Sequence, residues 1–157
     1  AIDAGIFVLE LQEPTDLSAL LEWEGFAVDG IKDGHLGLGF ETVTDALKLD
    51  PLTDAEFDSL ITNTSFSGGS LRSVLPLKSD GYFRAHLAPG TGDFPAGFAV
   101  ALVLDGDGEI IFSQAPAMTI TKGDAIVIPF SAGSFSITGS NAIICRPPLA
   151  ELARDAE

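Results

Sequence analysis

Val103-Leu104-Asp105-Gly106-Asp107-Gly108-Glu109, followed downstream by Lys122-Gly123-Asp124-Ala125-Ile126-Val127-Ile128-Pro129, sets the texture of the second half of the chain. Each stretch joins strand-forming residues to glycine and aspartate, the composition of short strands separated by tight turns. Around them lie further apolar runs at 82–87, 98–104, 109–113, 118–121, 125–128, 134–138 and 142–145. Seven short strands at close spacing, punctuated by Gly, Pro and Asp, predict an antiparallel all-β sandwich or barrel over 71–148. Asp105–Glu109 carries the acids of a calcium loop without its frame. An EF-hand needs Gly at the sixth position and a bidentate Glu at the twelfth, where this chain has Ile110 and Pro116. The stretch reads as a tight hairpin turn between two strands.

Working outward, the first half is less regular. Ile6-Phe7-Val8-Leu9-Glu10-Leu11 is a short apolar run of strand formers closed by Pro14. Residues 17–23 carry two patterns. Thr15 or Asp16 could cap a helix with Leu17, Leu20 and Leu21 on one face, and Leu17, Ala19, Leu21 and Trp23 also alternate as a strand would. Residues 25–39 hold five glycines and read as loop. Phe40, Val43, Ala46 and Leu47 keep a helical spacing that Asp50-Pro51 stops, and Thr53 with Glu56 forms a capping box before Phe57, Leu60 and Ile61. Residues 63–70, with Ser67-Gly68-Gly69-Ser70, read as a linker and the best boundary in the chain. Residues 149–157 read as a frayed terminal helix or a disordered acidic tail.

Charge excludes whole classes of partner. With 23 Asp+Glu against 8 Lys+Arg, the net charge of −15 rules out nucleic-acid backbones and polybasic membrane attachment, because those surfaces are themselves anionic. It also argues against strong long-range capture of a phosphorylated substrate. The hydrophobic fraction of 46% is ample for a core, so disorder is not expected. The charge-free run 125–145 is broken by Pro129, Gly133 and Gly139 and is no membrane span. One cysteine, Cys145, leaves no intrachain disulfide and fits a reducing, cytoplasmic setting. The sequence opens on Ala1 and enters an apolar strand almost at once, as a piece of a longer protein would. Self-association into a homo-oligomer is compatible with everything in the sequence.

Few residues invite chemistry. Gly34, Gly37 and Gly39 miss the G-x-G-x-x-G order, and no P-loop lysine follows Ser67–Ser70. His35 and His86 have no second ligand at metal spacing and read as surface or strand histidines. Cys145 lies in an apolar strand before Arg146-Pro147-Pro148 and reads as a buried structural thiol. Glu10 interrupts an apolar run, so it either faces outward or lines a barrel interior.

The 103–109 and 122–129 pair resembles the cupin fold, a V-L-x-G-x-G turn followed by G-D-x-x-x-x-P. That resemblance implies a mostly β architecture, a small antiparallel barrel or jelly-roll sandwich. Metal-binding cupins place two histidines and a glutamate before the turn and another histidine after the proline. Residues 98–102 and 131–137 hold none, so this half is similar to a cupin without its metal. Ala1-Ile2-Asp3-Ala4-Gly5-Ile6-Phe7-Val8-Leu9-Glu10-Leu11-Gln12, followed by Thr15-Asp16, resembles the type I mannose-6-phosphate isomerase family. There an A-I-x-x-G segment runs into L-E-I-Q and then S-D. Tyr82-Phe83-Arg84 and the closing strands are similar to that family's C-terminal domain, and the 40–50 helix to its interdomain element.

The resemblance implies a division into four parts. Residues 1–39 would be the last strands of a truncated N-terminal catalytic cupin domain, and 40–70 a helical connector and linker. Residues 71–148 would be a metal-free C-terminal cupin domain, and 149–157 an acidic tail. It also implies a strand over 17–23. Glu10 matches the family's active-site glutamate, whereas the family's catalytic arginine falls at Leu20. The zinc ligands would lie upstream of Ala1, giving a zinc-dependent parent and no metal on this chain. The implied activity is aldose–ketose isomerisation of mannose 6-phosphate and fructose 6-phosphate in carbohydrate metabolism, with a sugar phosphate as substrate. A non-catalytic carbohydrate-binding or regulatory cupin is the second reading.

Overall fold

A computed structural model describes residues 4–12, 18–62 and 71–149. The linker read over 63–70, the segment around Pro14 and Thr15-Asp16, and the tail from Ala150 onward lie outside the described residues. The chain forms two compact units, Ala1–Leu52 and Thr53–Glu157.

The first unit is held by glycine-permitted aromatic packing. Helix α1 (Gly30–Asp33) is capped by Asp29, whose side chain accepts from the Lys32 N–H, and α2 (Phe40–Thr44) follows Gly39. Trp23 lies directly over Gly30, where any Cβ would collide with the indole, and stacks on Phe40 at 5.3 Å between ring centroids. The 25–39 stretch read as loop therefore contains a short helix. Its glycines serve close approach as well as turning. The strand expected at 6–11 is absent: these residues have no regular structure and no strand partner among the described residues, and are largely exposed, Phe7 at 71%. The described residues 18–23 form no strand either. A strand exists through ladder hydrogen bonds to a neighbour, and the first unit offers none among the described residues.

The second unit opens with α3 (Asp54–Asp58), where the capping box forms as read: Thr53 accepts from the Glu56 N–H, and the Glu56 carboxylate accepts from the Thr53 N–H at 2.9 Å. The strands are β1 (Arg72–Ser73), β2 (Arg84–Ala88), β3 (Thr91–Phe94), β4 (Ala99–Asp105), β5 (Gly108–Phe112), β6 (Met118–Ile120), β7 (Ala125–Ile128), β8 (Phe135–Thr138) and β9 (Asn141–Arg146). They make two antiparallel sheets, ordered β1-β2-β9-β4-β7 and β3-β8-β5-β6. The molecule is mostly β, with the antiparallel two-sheet sandwich expected over 71–148.

The two inner faces are complementary in size. The five-stranded sheet contributes Ala88, Ala99, Ala101, Val103, Ile128, Ala142 and Ile144, four of them alanines; the other answers with Phe94, Ile110, Ile120, Phe135 and Ile137. Small side chains on one layer leave room for large ones on the other, which fills the interior.

The turn at Asp105–Glu109 corrects the hairpin reading. Strands β4 and β5 belong to different sheets, so the chain crosses between layers here. A register shift between Val103 and Asp105 and a left-handed Gly106 (φ +83°) turn it out of the first sheet. Lys122-Gly123-Asp124 closes β6 to β7 in a second way. The Asp124 carboxylate accepts from the Thr121 N–H at 2.8 Å, and Gly123 takes φ +95°.

Candidate functional site

Strand register places the charged side chains of the sandwich. On β2 and β9 the opposed pairs are Ala88 with Ala142, His86 with Ile144, and Arg84 with Arg146. Opposed residues of an antiparallel pair share a face. Because Ala88, Ala142 and Ile144 belong to the core, His86, Arg84 and Arg146 lie on that same inner face, toward one end of the sandwich. Residues 85, 87 and 145 point the other way.

Arg146 is the anchor of this end. It is only 8% exposed, and its Nη2 donates to the Pro95 carbonyl at 2.6 Å, reaching the segment that follows β3 in the opposite sheet. Its guanidinium also sits 5.9 Å from the centroid of Phe135, a cation–π contact that partly compensates its burial. Gly97 leaves room for it, since a Cβ there would stand 2.8 Å from Nη2. Arg84 donates from Nε to the Pro147 carbonyl at 3.0 Å. Burial and, secondarily, Arg84 hold the Arg146 guanidinium below its ordinary value. No carboxylate lies within ion-pairing distance of either arginine among the described residues; the surface pair Lys122–Asp105, at 3.5 Å, is elsewhere.

His86 is half-buried between them. Its Nδ1 is buried and has no hydrogen-bond partner among the described residues. Burial pushes its imidazole below the ordinary value, Arg84 and Arg146 push the same way, and Asp80 opposes. A buried polar atom without a partner costs about 1–3 kcal/mol, so this end of the sandwich is incomplete as it stands.

The other residues singled out in the sequence separate from this cluster. Glu10 is exposed on the 6–12 segment. Leu20, at the position of the family's arginine, uses its backbone N–H to reach the Gly34 carbonyl at 2.8 Å. His35 is neither a surface nor a strand histidine. Its Nδ1 accepts from the Gly39 N–H at 3.0 Å, its Nε2 donates to the Ile31 carbonyl at 2.7 Å, and its ring meets Phe40 edge-on at 5.1 Å. Both ring nitrogens are thereby committed to holding α1 against α2. Cys145 is buried on the outer face of β9, and desolvation raises its thiol above the ordinary value, the reverse of what activates a nucleophile. Among the described residues no three His, Cys, Asp or Glu side chains come together as metal ligands, so these residues do not fit the zinc of a metal-bearing cupin. No helix among them is long and apolar enough to cross a membrane.

The convergence of Arg84, His86 and Arg146 was missed in the sequence because Arg146 lies on a strand distant along the chain from the other two. The alternation R-A-H on β2 was the available signal, and it needed the register with β9 to become a cluster.

No protein-family model matches the chain, and no curated protein matches it. Among solved structures it is similar to the EutQ protein of Clostridium difficile, at 16% identity and TM-score 0.40 over 50% of this chain and 66% of that one. It is similar to the mannose 6-phosphate isomerase of Bacillus subtilis, at 18% identity and TM-score 0.48 over 73% of this chain. A Cupin 2 conserved barrel domain protein from Salinispora arenicola aligns at 12% identity and TM-score 0.40, over 70% of this chain and 95% of that one. The chain spans about a third of the isomerase, 36% of its length.

Proposed function

We propose that the sandwich is a non-catalytic, ligand-binding cupin module of a mannose-6-phosphate isomerase-like protein. The observation that supports this reading is the filled interior. The stretch before the turn, where metal-bearing cupins carry histidine and glutamate, here presents Ala99 and Ala101, both with no exposed surface. Phe135 and Ile137 fill the stretch after Pro129 in the same way. Apolar side chains at these positions supply no ligands for a Lewis acid.

In this proposal isomerisation belongs to the parent protein, with zinc, and Glu10 is an active-site carboxylate there rather than in the sandwich. The chain as it stands is expected to show no interconversion of mannose 6-phosphate and fructose 6-phosphate in a coupled assay. After zinc loading and gel filtration, elemental analysis is expected to find far less than one zinc per chain. One tightly held zinc, or turnover, overturns the module reading.

For the parent supplied with zinc, Glu10→Gln is expected to lower kcat/KM by about 100-fold or more, the usual effect of removing a group that moves a proton. Unchanged turnover takes Glu10 out of the active site. Turnover absent from the wild type as well removes the isomerase activity and leaves a binding protein.

A further inference from the structure

We infer that Arg84, His86 and Arg146 form a binding site for one phosphate group, free or carried on a small organic molecule, at the end of the sandwich where β2 begins and β9 finishes. The inference rests on the reading of the sandwich as a binding module and names what it binds.

Three observations converge on it. First, register sets Arg84 directly opposite Arg146 on the inner face, with His86 one step inward on the same face. Opposed side chains in such a pair begin roughly 5 Å apart at Cβ, so two like charges face each other. Second, neither charge is balanced by a carboxylate at ion-pairing distance among the described residues, although the protein carries 23 acidic residues. Asp80 is the one acid whose field reaches His86, and it is outweighed by Arg84. Third, the Nδ1 of His86 is buried without a partner among the described residues.

Two arginines that repel and a histidine nitrogen with nothing to bond are unfavourable when empty. An oxyanion reverses each cost: guanidinium N–H groups donate to it in the charge-assisted geometry that arginine favours, and a protonated His86 donates from Nδ1. The two fixed positive charges match the charge of a phosphate monoester, about −1.5 to −2 near neutral pH, and a protonated His86 adds a further donor. A single carboxylate would leave one of the two charges unbalanced.

The groups facing His86 are Arg84 on its own strand, Arg146 on β9 and Asp80 ahead of β2; β1 presents only Ser73 opposite it. In the empty protein burial first, and then Arg84 and Arg146, hold the imidazole below its ordinary value. A bound anion cancels the repulsion from the arginines, so the imidazole takes up a proton on binding and affinity rises as pH falls below neutral. The net charge of −15 acts in the opposite sense at long range. Salt screens it within about 8 Å at physiological ionic strength, so the site operates through contact rather than steering.

The test is calorimetric titration of the full chain with inorganic phosphate and with a hexose 6-phosphate, with the unphosphorylated hexose as control, at pH 6 and pH 8. One saturable phosphate per chain is expected, bound at least three-fold more tightly at pH 6, and at least ten-fold more weakly by Arg84→Gln. His86→Gln is expected to bind phosphate and to lose the tightening at pH 6, keeping only the dependence that the phosphate's own ionisation imposes. Arg84 is not in the core, so Arg84→Gln folds, and the more conservative Arg146→Lys tests the buried partner without emptying its place. Tighter binding of the hexose phosphate than of free phosphate assigns the site to a phosphorylated metabolite, and equal affinity assigns it to the free ion. Absence of saturable binding, or Arg84→Gln and Arg146→Lys binding as the wild type does, overturns the site. That failure is separate from failure of the module reading, which only turnover or bound zinc produces.

Discussion

Gly108→Ala is expected to cost the sandwich about 3 kcal/mol or more, because the new methyl group has backbone on two sides and nowhere to move. A Cβ at this position would overlap the Thr138 carbonyl and stand 3.0 Å from the Ser140 nitrogen. The other half of the corner is equally tight. Gly139, at φ +82°, has the Asp107 carbonyl 2.8 Å from its own would-be Cβ and the Gly108 Cα at 3.1 Å. The β4–β5 and β8–β9 connections thus interlock through bare backbone, one from each pair of strands that cross between the sheets. Gly123→Ala is the matched control. It also has a left-handed φ, +95°, but no atom lies within 4 Å of its Cβ position. That variant carries only the conformational penalty, about 1–2 kcal/mol. Urea unfolding followed by far-UV circular dichroism separates the two, and equal losses would mean that the corner relaxes around an extra methyl.

That corner also marks where the sequence stopped being readable. The seven strands it predicted are present to within two residues at each end, since β7 (Ala125–Ile128) and its neighbours carry their own apolar alternation and turn residues. Strands β1 and β3 went unread. Thr91-Gly92-Asp93-Phe94 has two poor strand formers, and it is a strand because it pairs with β8 residue by residue. Its glycine lies close to its neighbours: a Cβ on Gly92 would come 2.9 Å from the end of the Leu71 side chain and 3.2 Å from Ala88. Residues 6–11 show the converse. They have strand composition and no partner among the described residues, and they form no strand. Composition reports what a segment can do; pairing decides what it does. The same distinction hid the phosphate site. Each basic residue was visible singly, but Arg84 and Arg146 meet only through the β2–β9 register, and no local pattern encodes a register between distant strands.

Phe135→Ala is expected to remove about 3–5 kcal/mol of stability and to abolish phosphate binding with it. The side chain is 3% exposed and central to three contacts. It stacks on Phe94 at 5.0 Å, meets Phe112 at 6.2 Å, and lies beneath the Arg146 guanidinium at 5.9 Å. Alanine leaves a cavity in a core whose opposite layer is rich in alanine, so little on that side can collapse into it. Phe135→Leu separates packing from recognition. Leucine restores most of the buried volume and loses the ring contacts, a loss of about 1–2 kcal/mol from the stack and the cation–π pair together. That variant is expected to stay folded in urea titrations well past the midpoint of Phe135→Ala, yet to bind phosphate several-fold more weakly than the wild type. The reason is positional. Without the ring beneath it, Arg146 keeps its bond to the Pro95 carbonyl but no longer has its guanidinium plane fixed toward Arg84, so the pair meets an anion less well ordered. Wild-type phosphate affinity in a folded Phe135→Leu protein would show that the Pro95 carbonyl alone orients Arg146, and would reduce Phe135 to a core residue.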